Sequence, residues 1–302
     1  MRTTGEAGAR RVLGSALALA NAVAFSLMLN LAPFAYDAGS DPLTLNVARG
    51  AACATSIYIL LKALGRPATL PRPVLLGVYA LGLIMAINSY GILASLAYVP
   101  ISLAIVTHYT YPMIVAALAA VMGRERLTPV RAAALCAAFA GVVLVLQVPG
   151  GSLDWRGVGL AFMAALGLTA VFLGSARLMV KHDSRVVTLH LMNSLTFAFL
   201  AAVTATGGPA WPRSEAGMLA LVGVAVTFSG SMVCLFGAIR LIGPVRTAML
   251  DSSSPVLTIL FAMLIHAERL TAVQGLGAVL VVLAIVAVQL TGRPRGAPAG
   301  AP

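Results

Sequence analysis

The chain repeats its own punctuation. Pro112 is followed by Glu125-Arg126-Leu127-Thr128, and Pro255 by Glu268-Arg269-Leu270-Thr271, without gaps and at an offset of 143 residues. The same offset pairs Gly14, Leu17, Ala18 and Ala22 with Gly157, Leu160, Ala161 and Ala165. An internal duplication at fixed spacing constrains a fold more than any single motif, because each unit must pack against a copy of itself.

What is repeated is hydrocarbon. Residues 12–36, 73–123, 132–153, 157–176, 186–212, 216–239 and 270–292 carry no Asp, Glu, Lys or Arg. A helix that crosses a bilayer needs about 20 apolar residues, so each run qualifies by length. Run 73–123 is long enough for two crossings with a bend near Tyr98-Val99-Pro100. Adding 43–64 and 244–265, which hold Arg49 and Asp251, gives ten expected spans: 12–34, 43–64, 73–96, 99–122, 128–148, 157–180, 186–206, 215–239, 244–265 and 271–291. Apolar residues make up 60% and charged residues 10% of the chain, against roughly 45–50% and about 25% in soluble domains. The expected fold class is an all-α integral membrane protein: ten transmembrane helices arranged as two inverted five-helix repeats. The first repeat covers 12–148, the second 157–291, and 292–302 forms a short disordered Gly/Pro/Ala-rich tail.

The formal net charge of +11 orients the protein and does not advertise nucleic acid. With the N-terminus in the cytoplasm, 16 of the 20 basic residues fall on the cytoplasmic side, among them Arg10, Arg11, Lys62, Arg66, Arg72, Arg131, Arg177, Lys181, Arg185 and Arg240. Only Arg156, Arg213 and Arg269 fall outside, and Arg49 lies within a span. This is the positive-inside bias, and it puts both termini in the cytoplasm. Two lysines, Lys62 and Lys181, beside many arginines, alanines and glycines suggest a GC-rich bacterial genome, hence the bacterial cytoplasmic (inner) membrane. Arg10-Arg11 before an apolar run imitates a signal peptide, but the run is long for one and matches the sixth span, so it is expected to stay as structure. Cys53, Cys136 and Cys234 lie inside spans without metal-ligand spacing and read as small buried apolar residues.

Five spans per repeat is an odd number, so the second repeat enters the membrane upside down. Inverted repeats build secondary transporters, since two similar halves facing opposite ways exchange inward-open and outward-open states. The pattern resembles the EamA-type members of the drug/metabolite transporter superfamily: a fourth span with a mid-helix proline, a Glu at its end, and a Gly/Ala-rich fifth span. The resemblance is most specific over Ile101–Val145 and Pro244–Val288. It implies a ten-helix bundle around a central cavity and the transport of small metabolites, amino acids or drugs, often outward and often coupled to protons.

Candidate residues are those that are costly inside a membrane. Asp251 is the only acidic residue within a span, and an intramembrane acid should face a cavity or a partner. The offset pairs it with His108, and each stands four residues before the repeat proline, Pro255 or Pro112. Proline has no N–H for the carbonyl four residues earlier, so a titratable side chain and a loosened helix coincide in both halves. Asp251 is expected to carry the driving proton with His108 as relay; the bland alternative ties Asp251 to Arg49 in a structural pair. Arg49 is expected either to bind a substrate carboxylate or phosphate, or to snorkel or pair. Tyr111, Asn88 and Ser254 are candidate pathway residues, although polar groups such as Asn21, Asn46, Asn193, Ser229 and Ser231 also serve as glue between membrane helices. Glu125 and Glu268 read as turn residues, with Thr128 and Thr271 capping the next helices.

Other function classes fare poorly. An intramembrane aspartyl protease needs two carboxylates, and there is no phosphate-binding loop, metal-ligand cluster or Ser-His-Asp set. No enzyme activity, cofactor or metal is expected. The partners are a small-molecule substrate and the lipid bilayer, with protons and a second copy of the chain as open candidates and no nucleic acid. Rival readings are a non-transporting membrane subunit or lipid-handling partner, and an exchanger of anionic metabolites that depends on Arg49.

Overall fold

The computed structural model describes residues 4–95, 98–99, 101–123, 128–147, 154–266 and 271–291. Glu125, Glu268 and the tail 292–302 lie outside the described residues, as does Pro100 in the expected bend. The described chain is helical: α1 (Thr4–Asp37), α2 (Pro42–Ala63), α3 (Arg72–Ser95), α4 (Ile101–His108), α5 (Tyr111–Val121), α6 (Pro129–Leu146), α7 (Trp155–Leu178), α8 (Ser184–Ala205), α9 (Glu215–Ile242), α10 (Pro244–Asp251), α11 (Ser254–His266) and α12 (Ala272–Thr291). Taking α4 with α5 and α10 with α11 as single crossings, nine stretches of the described residues are long and apolar enough to span a membrane, and Ala272–Ala287 in α12 adds a shorter apolar one.

Local chemistry sets the helix boundaries. Asp41, Thr128, Asp154, Asp183 and Ser214 stand at the N-caps, each accepting a hydrogen bond from a backbone N–H of the first turn. Such a cap satisfies one of the donors that every helix start leaves open. Pro42, Pro129 and Pro244 occupy first helical positions, where the missing N–H costs nothing. Thr271 forms a reciprocal box with Gln274: its hydroxyl accepts from the Gln274 N–H at 3.2 Å and its own N–H donates to Gln274 Oε1 at 2.9 Å. Gly65 and Gly123, just past α2 and α5, take the left-handed conformation (φ 62° and 65°) that ends a helix cheaply. The first helix begins earlier than its apolar run, because Thr4–Arg11 continues the helix ahead of the hydrocarbon stretch.

Large aliphatic side chains also cover the outside; Val121, Leu264 and Leu76 are among the most exposed. A bundle apolar both within and without is suited to lipid. Cys53 is buried as expected, but Cys136 is exposed and Cys234 half-buried. Cys136 lies on the outer face of α6, where a thiol is as compatible with hydrocarbon as alanine.

Four helix pairings dominate: α1 with α9, α3 with α7, α2 with α8, and α6 with α12. All four run antiparallel. Along α1 and α9, Gly14 faces Leu241 and Ile242 while Leu31 faces Gly223. Along α3 and α7, Leu81 faces Gly174 while Gly91 faces Ala164. The α2–α8 seam runs from Thr44, whose hydroxyl accepts from the Ala210 N–H at 2.8 Å, past Gly50 beside Thr196, to Arg66 and Asp183, 2.9 Å apart. Gly141 and Gly277 bring the backbones of α6 and α12 together; a Cβ on Gly277 would sit 2.7 Å from the Gly141 carbonyl oxygen. Small residues allow this approach, and dispersion and hydrogen bonds, not water exclusion, hold helices together in lipid.

The 143-residue offset reappears in the contacts. Gly14 packs on Leu241 and Ile242, and Gly157, its counterpart, packs on Tyr98 and Val99, theirs. The Asn88 amide donates to the Ala164 carbonyl at 2.6 Å, and the Ser231 hydroxyl donates to Asn21 Oδ1 at 2.6 Å; the offset exchanges both members. The pairing of α1 with α9 thus maps onto that of α7 with α3.

Candidate functional site

The expected fourth and ninth spans are both interrupted. Helix α4 ends at His108 and α5 begins at Tyr111; α10 ends at Asp251 and α11 begins at Ser254. The breaks coincide under the offset, and so do their internal bonds. The Thr110 hydroxyl donates to the Thr107 carbonyl at 2.7 Å, and the Ser253 hydroxyl to the Leu250 carbonyl at 2.7 Å. The Thr110 N–H also turns to Thr107 (3.2 Å) and the Ser253 N–H to Leu250 (3.1 Å). Each break is therefore a tightened turn of the i to i+3 kind, closing two residues before the proline that cannot complete the ladder.

Asp251 sits at this break and gathers donors from both halves. Asn21 Nδ2 on α1 donates to Oδ1 at 2.8 Å, the Ser254 hydroxyl donates to Oδ1 at 3.1 Å, and the Tyr111 hydroxyl on α5 donates to Oδ2. Asn21 is oriented by Ser231 of α9, which donates to its Oδ1, so its amide nitrogen must point at the carboxylate. Tyr111 is buried, with its ring 5.3 Å from that of Phe172 on α7. Nearby, Ser26 donates to the Ser254 carbonyl at 2.9 Å and Asn30 to the Thr258 carbonyl at 3.0 Å, which fastens α1 along α11. A carboxylate held by three neutral donors and no cation among the described residues is able to accept a proton without breaking an ion pair.

His108 and Asp251 are not in direct contact. Tyr111 touches both: its ring lies 5.8 Å from the His108 ring, and its hydroxyl reaches Asp251. Nδ1 of His108 is buried with no hydrogen-bond partner. Asp251, Tyr111, Ser254 and His108, with Pro112 and Pro255, thus form one cluster where the two halves meet.

The remaining candidates lie apart. Asn88 spends its amide on α7 and is buried, the position of a helix tie. The alternative structural pair of Asp251 with Arg49 does not form. Arg49 on α2 instead donates to Asn46 Oδ1, approaches Met28 Sδ at 3.5 Å and lays its guanidinium 4.4 Å from the centre of the Phe228 ring. The reason lies along α1: Asn21 at the Asp251 cluster and Met28 at Arg49 are seven residues apart, roughly 10 Å of helix. A groove of about 280 Å³ between α6, α11 and α12 is lined by aliphatic side chains such as Val145, Val256 and Val282 with Gln274 at one side. It lies outside the cluster and offers little to orient a polar solute.

Of the three donors to the carboxylate, Tyr111 and Ser254 were singled out by sequence reasoning and Asn21 was not. Asn21 and Ser231 stood only among the general polar residues, and Phe228 was not noticed. The offset held a usable signal, since it equates Ser231 with Asn88 and Asn21 with Ala164.

The comparisons agree with this architecture. The profile of the EamA-like transporter family matches twice, over residues 12–147 and 155–290. No curated protein matches the chain. Among solved structures 29 chains match, and one crystal structure of a protein aligns with a TM-score of 0.78 at 18% identity, covering 96% of this chain and 99% of its own. At that identity the likeness speaks for the fold alone. With the family profile covering nearly the whole chain in two copies, the protein belongs to the EamA-like transporter family of the drug/metabolite transporter superfamily.

Proposed function

We propose that this protein is a secondary transporter that exports small organic metabolites or drugs across a bacterial cytoplasmic membrane, with Asp251 binding the driving proton and His108 serving as relay. Family membership supports transport of small molecules as such. The observation that carries the finer reading is the meeting of two equivalent helix breaks over one carboxylate, with Tyr111 of the first half donating to Asp251 of the second. A broken span is tolerated at membrane depth where it is enclosed by protein or lines a cavity.

The antiparallel pairings favour ten spans in two inverted repeats. Helix α9 is the counterpart of α3 and runs against α1, whereas α3 and α1 run the same way in an alternating five-span unit. Halves that face opposite ways exchange two states by rocking about the site between them. Breaking and remaking the Tyr111–Asp251 contact would then be coupled to which half-site is open.

The test is transport by purified protein in proteoliposomes under an imposed pH gradient, screened with labelled amino acids, organic acids and amines. Wild type should accumulate at least one solute, and Asp251→Asn should lower gradient-driven accumulation at least tenfold while solute exchange without a gradient persists. Full gradient-driven accumulation by Asp251→Asn would remove the proton role and leave facilitated diffusion. Absence of any flux in wild type would favour the subunit reading.

A further inference from the structure

We infer that Arg49 is the binding point for an oxyanion, a carboxylate or phosphate group, carried by a small organic solute. The inference rests on the transport reading for its purpose, but its grounds are the geometry around the guanidinium. Arg49 lies within the apolar span Pro42–Ala63, and a cation placed there requires compensation. None of the described acidic residues forms an ion pair with it; Asp183, for one, is engaged by Arg66 and Arg240.

Its actual neighbours are neutral. Asn46 accepts from Nη2, Met28 offers a weakly accepting sulfur to Nη1, and Phe228 lies under the guanidinium plane. Nε is buried and has no partner. A guanidinium grips two oxygens side by side through Nε–H and the adjacent terminal amino group. Here Nε–H is unused, and Nη2 has given one of its two N–H bonds to Asn46. Nε–H and the remaining N–H of Nη2 are therefore still able to donate to an anion.

The surroundings fix that edge in place. Asn46 donates through its amide nitrogen to the Pro42 carbonyl at 2.7 Å, which leaves its Oδ1 to face Arg49. Phe228 is buried and stacked on the cation. Arg49 as a residue is half-buried while its Nε is fully covered, so a solute reaches that edge only by displacing neighbouring side chains. The charge is also absent from the other half: the offset places the buried Met192 at the equivalent position, so the molecule holds one such site and not two.

Thermal unfolding of the purified full-length protein in detergent tests the inference with benzoate, succinate, inorganic phosphate and phenyl phosphate, and with benzamide and benzylamine as neutral and cationic controls. A ligand that binds the folded state raises the melting temperature saturably. At least one oxyanion should do so and the controls should not. A response to carboxylates alone or to phosphates alone identifies the group. Arg49→Gln should weaken that binding at least roughly tenfold, as expected for loss of charged hydrogen bonds, while Arg66→Gln, the same change at an exposed arginine paired with Asp183, should retain it. If Arg49→Gln does not fold, Arg49→Lys keeps the charge without the fork and should weaken binding severalfold. No shift with any oxyanion, or unchanged affinity in the folded Arg49 variant, overturns the inference. Oxyanion binding without flux in vesicles would defeat the transport reading and leave the anion site standing; flux indifferent to Arg49→Gln would do the reverse.

Discussion

At the scale of single residues, Asp183 shows how charge is used where water is still within reach. It caps α8 through the Arg185 N–H at 2.9 Å and pairs with Arg66 at 2.9 Å and Arg240 at 3.5 Å. Partial burial acts to raise its pKa, but the Arg185 N–H and the charges of Arg185, Arg240 and Arg66 outweigh it and hold the carboxyl below its ordinary 3.8. A depressed carboxylate contributes stability that is complete above its unfolded value and lost as pH falls through its folded value. The protein should therefore lose stability on acidification below about pH 4. Asp183→Asn keeps a capping side chain but no charge, so it should cost at most about 1 kcal/mol at neutral pH and flatten that acid limb. Thermal unfolding between pH 3 and 7 checks this, and an unchanged acid limb would assign the effect to other groups. The sequence marked Asp251 because a lone intramembrane acid is costly wherever it faces. It left an Asp251–Arg49 pair open because two costly charges in one chain invite pairing, and only the register of α1 separates them. Asn88 could be marked as polar but not assigned to a helix tie, since that depends on which carbonyl the neighbouring helix presents.

At the scale of elements, the prolines were legible as weak points and the tightened turns were not. Pro112 and Pro255 announce that the carbonyls of His108 and Asp251 lose their usual donors. That the chain then stops being helical for two residues depends also on the hydroxyls of Thr110 and Ser253, which pull the turn tighter. Replacing the prolines in Pro112→Ala and Pro255→Ala restores an N–H for each freed carbonyl. Each variant should unfold at the same or higher temperature, with a gain up to about 1 kcal/mol for the recovered bond, yet transport severalfold more slowly because the break is straightened. Unfolding scans read beside vesicle flux decide the matter; wild-type rates in both variants would make the breaks incidental. Caps such as Thr128 and Thr271 were readable because their signal is local, a hydroxyl just before a helix. The longer α1 was not, since its first turns lie ahead of the apolar run that marked it.

At the scale of the molecule, duplication was the most legible feature and partner choice the least. The offset says that two like units exist, but not that α1 seeks α9 while α2 seeks α8. Those choices depend on where small residues let backbones approach, as at Gly14, Gly141, Gly157 and Gly277. The charge pattern makes a global statement that remains to be measured: both termini should lie in the cytoplasm. An alkaline phosphatase fusion after Gln289 should be inactive in a bacterial host and a fluorescent protein at the same point should glow. The opposite pair of results would invert the topology and reassign which surface the basic residues face.

The seam between α2 and α8 is fastened differently at its two ends. At one end Asp183 holds Arg66 and Arg240; at the other, Thr44 receives the Ala210 N–H and the Arg213 N–H donates to the Ala38 carbonyl at 2.8 Å. Mobile ions screen exposed charges over about 8 Å at physiological salt, whereas they scarcely affect neutral amide bonds. The electrolyte on one side of the membrane thus acts on a fastening that has no ionic counterpart among the described residues at the other end. In a molecule built from two copies of one family unit, ionic strength then bears unequally on the two ends of this seam.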